Sequence, residues 1–456
     1  MKNLTSIVLI FLISAFVPPI LLSQSLKIKQ VRIWDSEKRN FGPVSEIEVE
    51  RSRIKSIRPS EKNGPVKFLL PGFCDATVHM SKNGLGGNTQ PEDLSFHLRS
   101  YVSAGFSHIL SIGDPDLSPL EREITKQKWQ SPILIQAQRP LLYSDFSLEN
   151  DNLYQNKMPV QMDPKRIGIL PIFLKEKDDR GFNQNQLFAI RKDILFQNKT
   201  PIVYTFGDPT SWEDSLDTGH NVLFHPMPET AKLNKIQKRG FYWAPMISTL
   251  YLSELLESPD KKKQLVEVLI PLHSSFSERG KEPFLALSPE DPLDRKGIGF
   301  QEAFTVFQDR KDQVQLVFAS GAGHLGLLPG TAAVVEILLW EEAMKPKKIP
   351  EGSGGSSEHW FFRTFIRPFQ KNITLIQPNP DPETIPEYRR EMIRSLTDTT
   401  CGLIGADHKG KIEVGGPAHF SILTENPLFR ISGIFPIESM VVGGKLVYTP
   451  KPSPSR

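Results

Sequence analysis

Leu69–Met80 reads "LLPGFCDATVHM". Apolar residues run through it without regular alternation, Asp75 and Thr77 are the polar interruptions, and the run closes on His79. Continuous apolar strands are buried on both faces, as in a parallel sheet covered by helices. Asp, Thr and His at the end of such a strand stand where parallel α/β sheets collect their functional groups.

Working outward, the same kind of segment recurs. "KFLLPGFCDA", "HILSIG", "PILIQA", "IGILPIFL", "PIVYTF", "NVLFHP", "FYWAPM" and "VQLVFAS" are short apolar strands, many of them separated by helical patterns. "QLFAIRKDILFQNK" is one such helix, with Leu187, Ile190, Ile194 and Leu195 expected on one face. Eight such strands predict an α/β chain built on a (β/α)8 TIM-type barrel, with a doubly wound open sheet as the alternative. The flanks differ. "LKIKQVRIWD" and "VSEIEVERSRIKSIRP" near the start, and "GKIEVGGPAHFSIL" and "ESMVVGGKLVYTP" near the end, alternate and read as antiparallel strands. Both ends together predict one small composite β-sandwich, residues 26–70 and 408–450, around a barrel at 71–407. The low-complexity stretch "EGSGGSS" and the aromatic "HWFFRTFIRPF" mark an inserted loop at about 344–388.

Bulk properties set limits. The chain has 456 residues, 39% hydrophobic and 23% charged, which suits a globular protein with a sizeable core. Its net charge of +3 provides no field to hold nucleic acid. Lys2, the apolar run Ile7–Phe16 and the small pair Ser23 and Ser25 follow the pattern of a secretory signal over residues 1–25. Pro18 and Pro19 argue against an uncleaved membrane anchor, so export to a periplasmic or external space is expected, with no stable span afterwards. The two cysteines, Cys74 and Cys401, are too few and too far apart to predict a disulfide framework, and Cys74 reads as a buried packing residue.

Several segments in order resemble the metal-dependent amidohydrolase superfamily, close to its imidazolonepropionase and prolidase-like branch. "RIKSIRP" followed by "LLPGFCDATVH", then "YVSAGFSHILSIGD", "DTGHNVLFHP", "RGFYWAPMIST", "GKIEVGGPAHFSIL" and "VVGGKLVY" carry the resemblance over nearly the whole chain after the signal. It implies a metal site at the barrel mouth, made of two histidines after strand one, a carboxylated lysine after strand four, histidines after strands five and six, and an aspartate after strand eight. Carried over position by position, the first strand-one histidine is Thr77 and the second is His79. The strand-five histidine falls on Thr205 and the strand-six histidine on His225. The aspartate falls on or beside Gly321, and Lys175 is the candidate lysine.

A catalytic zinc keeps three protein ligands and an open position for water. His79 and His225 are the retained metal-ligand candidates, and in the family they serve different metal positions. The expectation is therefore no cofactor, or a single divalent ion such as Zn²⁺, and a non-catalytic or strongly altered protein that binds a small molecule or a protein partner. The alternative is a mononuclear hydrolase of non-peptide C–N bonds. Asp75, Asp208 and His324 lie near strand ends and complete the expected pocket with Thr77, Thr205 and Gly321. His220 follows Gly219 at a helix-to-strand turn and is expected on the surface, at the opposite end of the barrel. "GAGHLG", Gly321–Gly326, has the G-x-G-x-x-G pattern but lies at the last strand, with no acidic strand tip at the spacing dinucleotide binding needs, which leaves phosphate or anion binding by this loop as a minor expectation beside a plain turn.

Overall fold

The structure is a computed structural model that describes residues 25–61, 64–84, 87–143, 163–174, 181–232, 240–255, 258–272, 281–286, 298–323, 327–345, 386–429 and 434–450. The expected signal, Lys175, His324 and most of the aromatic insertion lie outside the described residues.

The chain opens with β1 (Ser25–Asp35), β2 (Asn40–Glu50), β3 (Arg53–Pro59) and β4 (Lys67–Pro71). It continues through β5 (Phe73–Val78), β6 (Phe106–Ser111), β7 (Ile133–Gln136), β8 (Ile169–Phe173), β9 (Thr200–Tyr204), β10 (Val222–Phe224), β11 (Tyr242–Ala244) and β12 (Gln315–Leu316). It closes with β13 (Phe420–Leu423), β14 (Ser439–Val442) and β15 (Lys445–Tyr448). The first four and last three strands form one seven-stranded sheet in the order β15-β14-β13-β4-β1-β2-β3. Both chain ends therefore meet in one sheet, as the alternating flanks predict. The pairing is one continuous hydrogen-bonded sheet, with its own apolar core that includes Val31, Ile47, Val49, Phe420 and Val441.

The middle strands pair in parallel as a three-stranded sheet, β5-β6-β7, and a five-stranded sheet, β12-β11-β10-β9-β8. All residues of β5 and β6 are buried, the pattern of strands covered on both faces. Hydrogen bonds link the two sheets at both flanks. On one side Leu141 N donates to Pro171 O at 2.8 Å; on the other Ala76 N donates to Phe318 O at 3.0 Å and Gly321 N to Thr77 O at 3.1 Å. The helix Gln184–Phe196 begins with a capping box between Asn183 and Gln186, and it buries Leu187, Ile190 and Ile194. Leu195, expected on that same face, is 46% exposed: one residue of helix turns it about 100° from its neighbour Ile194. Among the described residues no helix is long and apolar enough to cross a membrane.

Two expectations are overturned. Cys74 is buried, but it is not merely a packing residue. It forms a disulfide with Cys401 across 327 positions of sequence, with Cα atoms 5.2 Å apart. The helix Thr400–Leu403 packs close to β5, and that long-range contact cannot be read from cysteine spacing. His220 is buried at 3% exposure, because Thr218 Oγ1 lies 2.9 Å from its Nδ1 inside the turn that leads into β10.

Candidate functional site

The polar strand ends of β5, β9, β10 and the segment after β12 come together. Asp75 is fully buried. Its Oδ1 accepts from Thr77 N at 3.2 Å and from Ser320 N at 3.0 Å, and its Oδ2 accepts from Ser320 Oγ. Burial pushes its carboxyl up to about 7, while the Ser320 and Thr77 hydrogen bonds pull the other way. Thr77 Oγ1 lies 2.8 Å from Ala76 O and 2.9 Å from Tyr204 Oη. Thr205 Oγ1 donates to Phe224 O at 3.0 Å. Asp208 is the N-cap of the helix Pro209–Asp217 and accepts from Ser211 N at 2.7 Å, which caps the start of that helix. The loop after β5 is pinned by Asp114, whose carboxylate accepts from Met80 N at 2.6 Å and Ser81 N at 2.9 Å.

Three successive strand ends carry non-glycine residues with left-handed backbone: Phe206 at φ 53°, His225 at φ 88° and Met246 at φ 49°. Each such residue costs of order 1 kcal/mol or more, and strain of this kind collects at binding and catalytic sites. The strain places aromatic rings at the strand ends. Phe206, 48% exposed, lies 4.7 Å from the His225 ring and 5.8 Å from Phe173, and Tyr204 packs behind them at 5.5 Å from His225. Glu336 supports the neighbouring strand end. Its buried carboxylate accepts from Ile247 N at 3.1 Å, from Ser248 N at 2.5 Å and from Trp340 Nε1 at 2.7 Å.

The two histidines differ as metal ligands. Burial holds the His79 imidazole down at about 4; donation to the Ile112 carbonyl opposes this, and nearby His225 and Lys82 add to it. His79 is thus neutral near pH 7, as a ligand must be. His225 Nδ1 accepts the Phe206 N–H at 3.1 Å. An amide can only donate, so in the neutral ring the proton sits on Nε2, and neither nitrogen then offers a lone pair to an ion. Gly321 has φ 64°, and a Cβ there would lie 2.7 Å from Met246 Cε and 3.1 Å from Thr249 Cγ2. The position expected for a proton-accepting carboxylate is therefore packed by a methionine. Among the described residues, the sets of three donors that converge within 4.8 Å include neither His79 nor His225. Taken alone, His79 and His225 are fewer than the three protein ligands that a catalytic zinc keeps. In "GAGHLG", Gly321 N donates to Thr77 O and Gly323 N to Leu327 O, so these two amides serve the fold and do not cradle an anion. The next helix starts only at Thr331.

A second cluster, not anticipated from the sequence, lies at the opposite ends of the strands, where the composite sheet meets them. Ser107 and His108 open β6, Gly72 joins β4 to β5, Asp407 and His408 follow the disulfide helix, and His419 leads into β13. His108 Nε2 and His419 Nε2 lie 3.2 and 3.4 Å from Asp407 Oδ1. His419 Nδ1 accepts from Gly443 N at 3.1 Å, and His408 Nε2 lies 2.9 Å from Gly72 O. The His108 and His408 rings stack at 4.8 Å. The His108 hydrogen bond holds the Asp407 carboxyl well below the usual range; burial, reinforced by His108, pushes His408 down to about 3 and His419 to about 4. Three histidines in "SHIL", "GADHKG" and "GPAHFS" were visible in the sequence, but nothing in their spacing brings them together.

The parallel strands, the composite sheet and the polar strand ends define an amidohydrolase-type fold, and comparison with solved structures agrees. A Xaa-Pro dipeptidase with methionine bound in its active site superposes with a TM-score of 0.60 at 15% identity, covering 94% of this chain and all of that one. A prolidase from Bifidobacterium longum, described as putative, gives 0.56 at 13% identity over 95% of this chain and 96% of its own. A. niger ochratoxinase gives 0.55 at 12% identity over 94% and 96%. The fold resemblance read from the sequence is thus borne out. No family model and no curated protein sequence matches the chain.

Proposed function

We propose that this chain is an exported protein of the amidohydrolase fold that binds a small organic molecule at the mouth of a closed (β/α)8 barrel, with no catalytic ion there. The hydrogen bonds at both flanks of the parallel strands support barrel closure. The extents proposed are 71–407 for the barrel and 26–70 with 408–450 for the composite domain, although Pro71 itself pairs with Phe420 in the composite sheet. The Cys74–Cys401 disulfide supports export, since disulfides persist in oxidising compartments.

One observation carries the absence of hydrolytic chemistry. His225 Nδ1 is engaged by an amide donor, beside a Gly321 whose side-chain space is taken by Met246. Among the described residues no three donors converge there on an ion, and Gly321 offers no carboxylate to take a proton from water, so the usual hydrolysis of this fold lacks its engine. The strained Phe206, His225 and Met246 backbones and the exposed Phe206 ring favour a retained binding role, in which a flat or apolar ligand stacks on Phe206. A second reading, a mononuclear hydrolase of C–N bonds, is supported by the hydrolases among the structural neighbours and by the neutral His79 ring lying near His225.

The test is an assay with Xaa-Pro dipeptides, cyclic amides and N-acyl amino acids, with Zn²⁺ or Mn²⁺ added. The expected result is no turnover above buffer, together with a saturable rise in melting temperature for at least one compound that is lost in Phe206→Ala. Turnover that disappears in His79→Ala overturns the proposal.

A further inference from the structure

We infer that the cluster beneath the strands is a redox-gated metal site: once the Cys74–Cys401 disulfide is reduced, Cys74, Cys401, His108 and His408 hold one Zn²⁺ in a tetrahedral Cys₂His₂ shell. The inference is independent of the reading given to the barrel mouth. Its basis is convergence. A donor atom from each of Cys74, His108 and His408 lies within 4.8 Å of the others, and all three residues are buried. Cys401 Sγ lies 3.9 Å from His408 Nε2. In a tetrahedral zinc site, bonds of about 2.3 Å to sulfur and 2.0–2.1 Å to nitrogen put neighbouring sulfur and nitrogen ligands roughly 3.6 Å apart. The thiolate and imidazole are thus close to their separation as ligands.

The surroundings fit as well. His108 Nε2 faces Asp407 Oδ1 at 3.2 Å, and its Nδ1 lies 2.9 Å from Ser107 Oγ, inside the cluster. Asp407 thus holds the Nε2 proton, as an outer carboxylate commonly does for a metal-bound histidine, and the Nδ1 lone pair, which accepts from the rotatable Ser107 hydroxyl, is released to an ion when that hydroxyl turns to Phe73 O, 3.4 Å away. The second independent sign is His408. It is 4% exposed, and its Nδ1 has no hydrogen-bond partner. Nε2 now donates to Gly72 O at 2.9 Å. Binding through Nε2 shifts its proton to Nδ1 and gives the buried ring a strong partner. His419 is excluded, because its Nδ1 accepts from Gly443 N and its Nε2 proton belongs to Asp407.

The chemistry balances. A dithiol reductant gives two electrons and two protons to the disulfide, leaving Cys74 and Cys401 as thiols and the reductant as its own disulfide. Zn²⁺ then displaces the two thiol protons, and two thiolates with two neutral imidazoles make an uncharged complex suited to a buried position. The site accordingly belongs to the chain before oxidation, and the disulfide replaces the ion afterwards.

Co²⁺ is the probe, because tetrahedral thiolate ligation gives visible d–d bands and near-ultraviolet sulfur-to-metal charge transfer. The protein reduced with a phosphine, which does not compete for the ion, is titrated with Co²⁺ beside the oxidised protein. The inference expects one equivalent bound with both bands in the reduced protein only, displaced by Zn²⁺. It expects loss of the bands in Cys74→Ser, loss of stoichiometric binding in His408→Ala, and affinity weakened about tenfold or more in Asp407→Asn. Near-ultraviolet circular dichroism follows folding throughout. If reduction loosens the fold, Zn²⁺ must restore it, and failure to do so overturns the inference. So does a reduced, folded protein with no charge-transfer band, or equal binding by the oxidised protein. Ions held by His79 and His225 lack the sulfur band, so the mouth and the base are distinguished in one experiment.

Discussion

The two ends of the parallel strands use histidine in opposite ways. At the C-terminal ends, His79 and His225 stand among strained backbone, an exposed aromatic ring and hydroxyls already committed to Tyr204 and Phe224. At the N-terminal ends, His108, His408 and His419 crowd around Asp407 and a disulfide and tie the composite sheet to the strands. Among the described residues, no three donors converge at the end where this fold ordinarily does its chemistry. The end expected to serve stability has the convergent donor set. Ligand-bearing residue types therefore do not by themselves locate a site; what each lone pair already engages decides.

The largest break in this contrast comes from the disulfide. It closes a loop of 327 residues, and replacing both cysteines by alanine is expected to lower unfolding free energy in urea by about 2–5 kcal/mol. A loss below 1 kcal/mol would deny the base its stabilising role. Next comes Gly321→Asp, which places a carboxylate at the C-terminal strand ends. Its left-handed backbone and the Met246 contact predict a destabilisation of about 1–3 kcal/mol, partly recovered when Met246→Ala makes room. A neutral effect of Gly321→Asp would show that the position is open after all.

The pH dependence sharpens the comparison. His408 and His419 titrate at about 3 and about 4 when folded and near 6.5 when unfolded. Between about pH 4 and 6.5 the unfolded chain binds more protons, so their contribution to stability is lost as pH falls, at up to about 1.4 kcal/mol per pH unit each. Asp75 opposes them. Its carboxyl titrates at about 7 when folded and near 3.8 when unfolded, so between those values it lowers stability as pH rises. Unfolding titrations should therefore show a steeper rise with pH in Asp75→Asn and a flatter one in His408→Gln. Parallel profiles for both variants would contradict the burial argument at both ends.

How much of this was legible in the sequence follows from the physics of each signal. The strands around Cys74, Ile109 and Ile202 are continuous apolar runs, so their burial and parallel pairing could be read directly. His79, Thr205 and His225 fall at strand ends because the runs stop there. Gly321 marks where the resemblance expects a carboxylate, but the Met246 methyl that fills its space comes from a strand end some 75 positions earlier, and no local pattern predicts it. His220 follows a glycine turn, which predicts exposure, yet its ring is buried with Nδ1 against the Thr218 hydroxyl. The base cluster draws on residues near positions 74, 108 and 401–419, which only the composite sheet brings together.

Elemental analysis of the purified, air-oxidised protein beside its His79→Ala/His225→Ala variant is the most direct trial of the central claim about the C-terminal strand ends. The account predicts zinc, manganese and iron well below one equivalent in both proteins, with melting temperatures that do not respond to chelators. One equivalent of a divalent metal in the native chain, absent from the double variant, would contradict it.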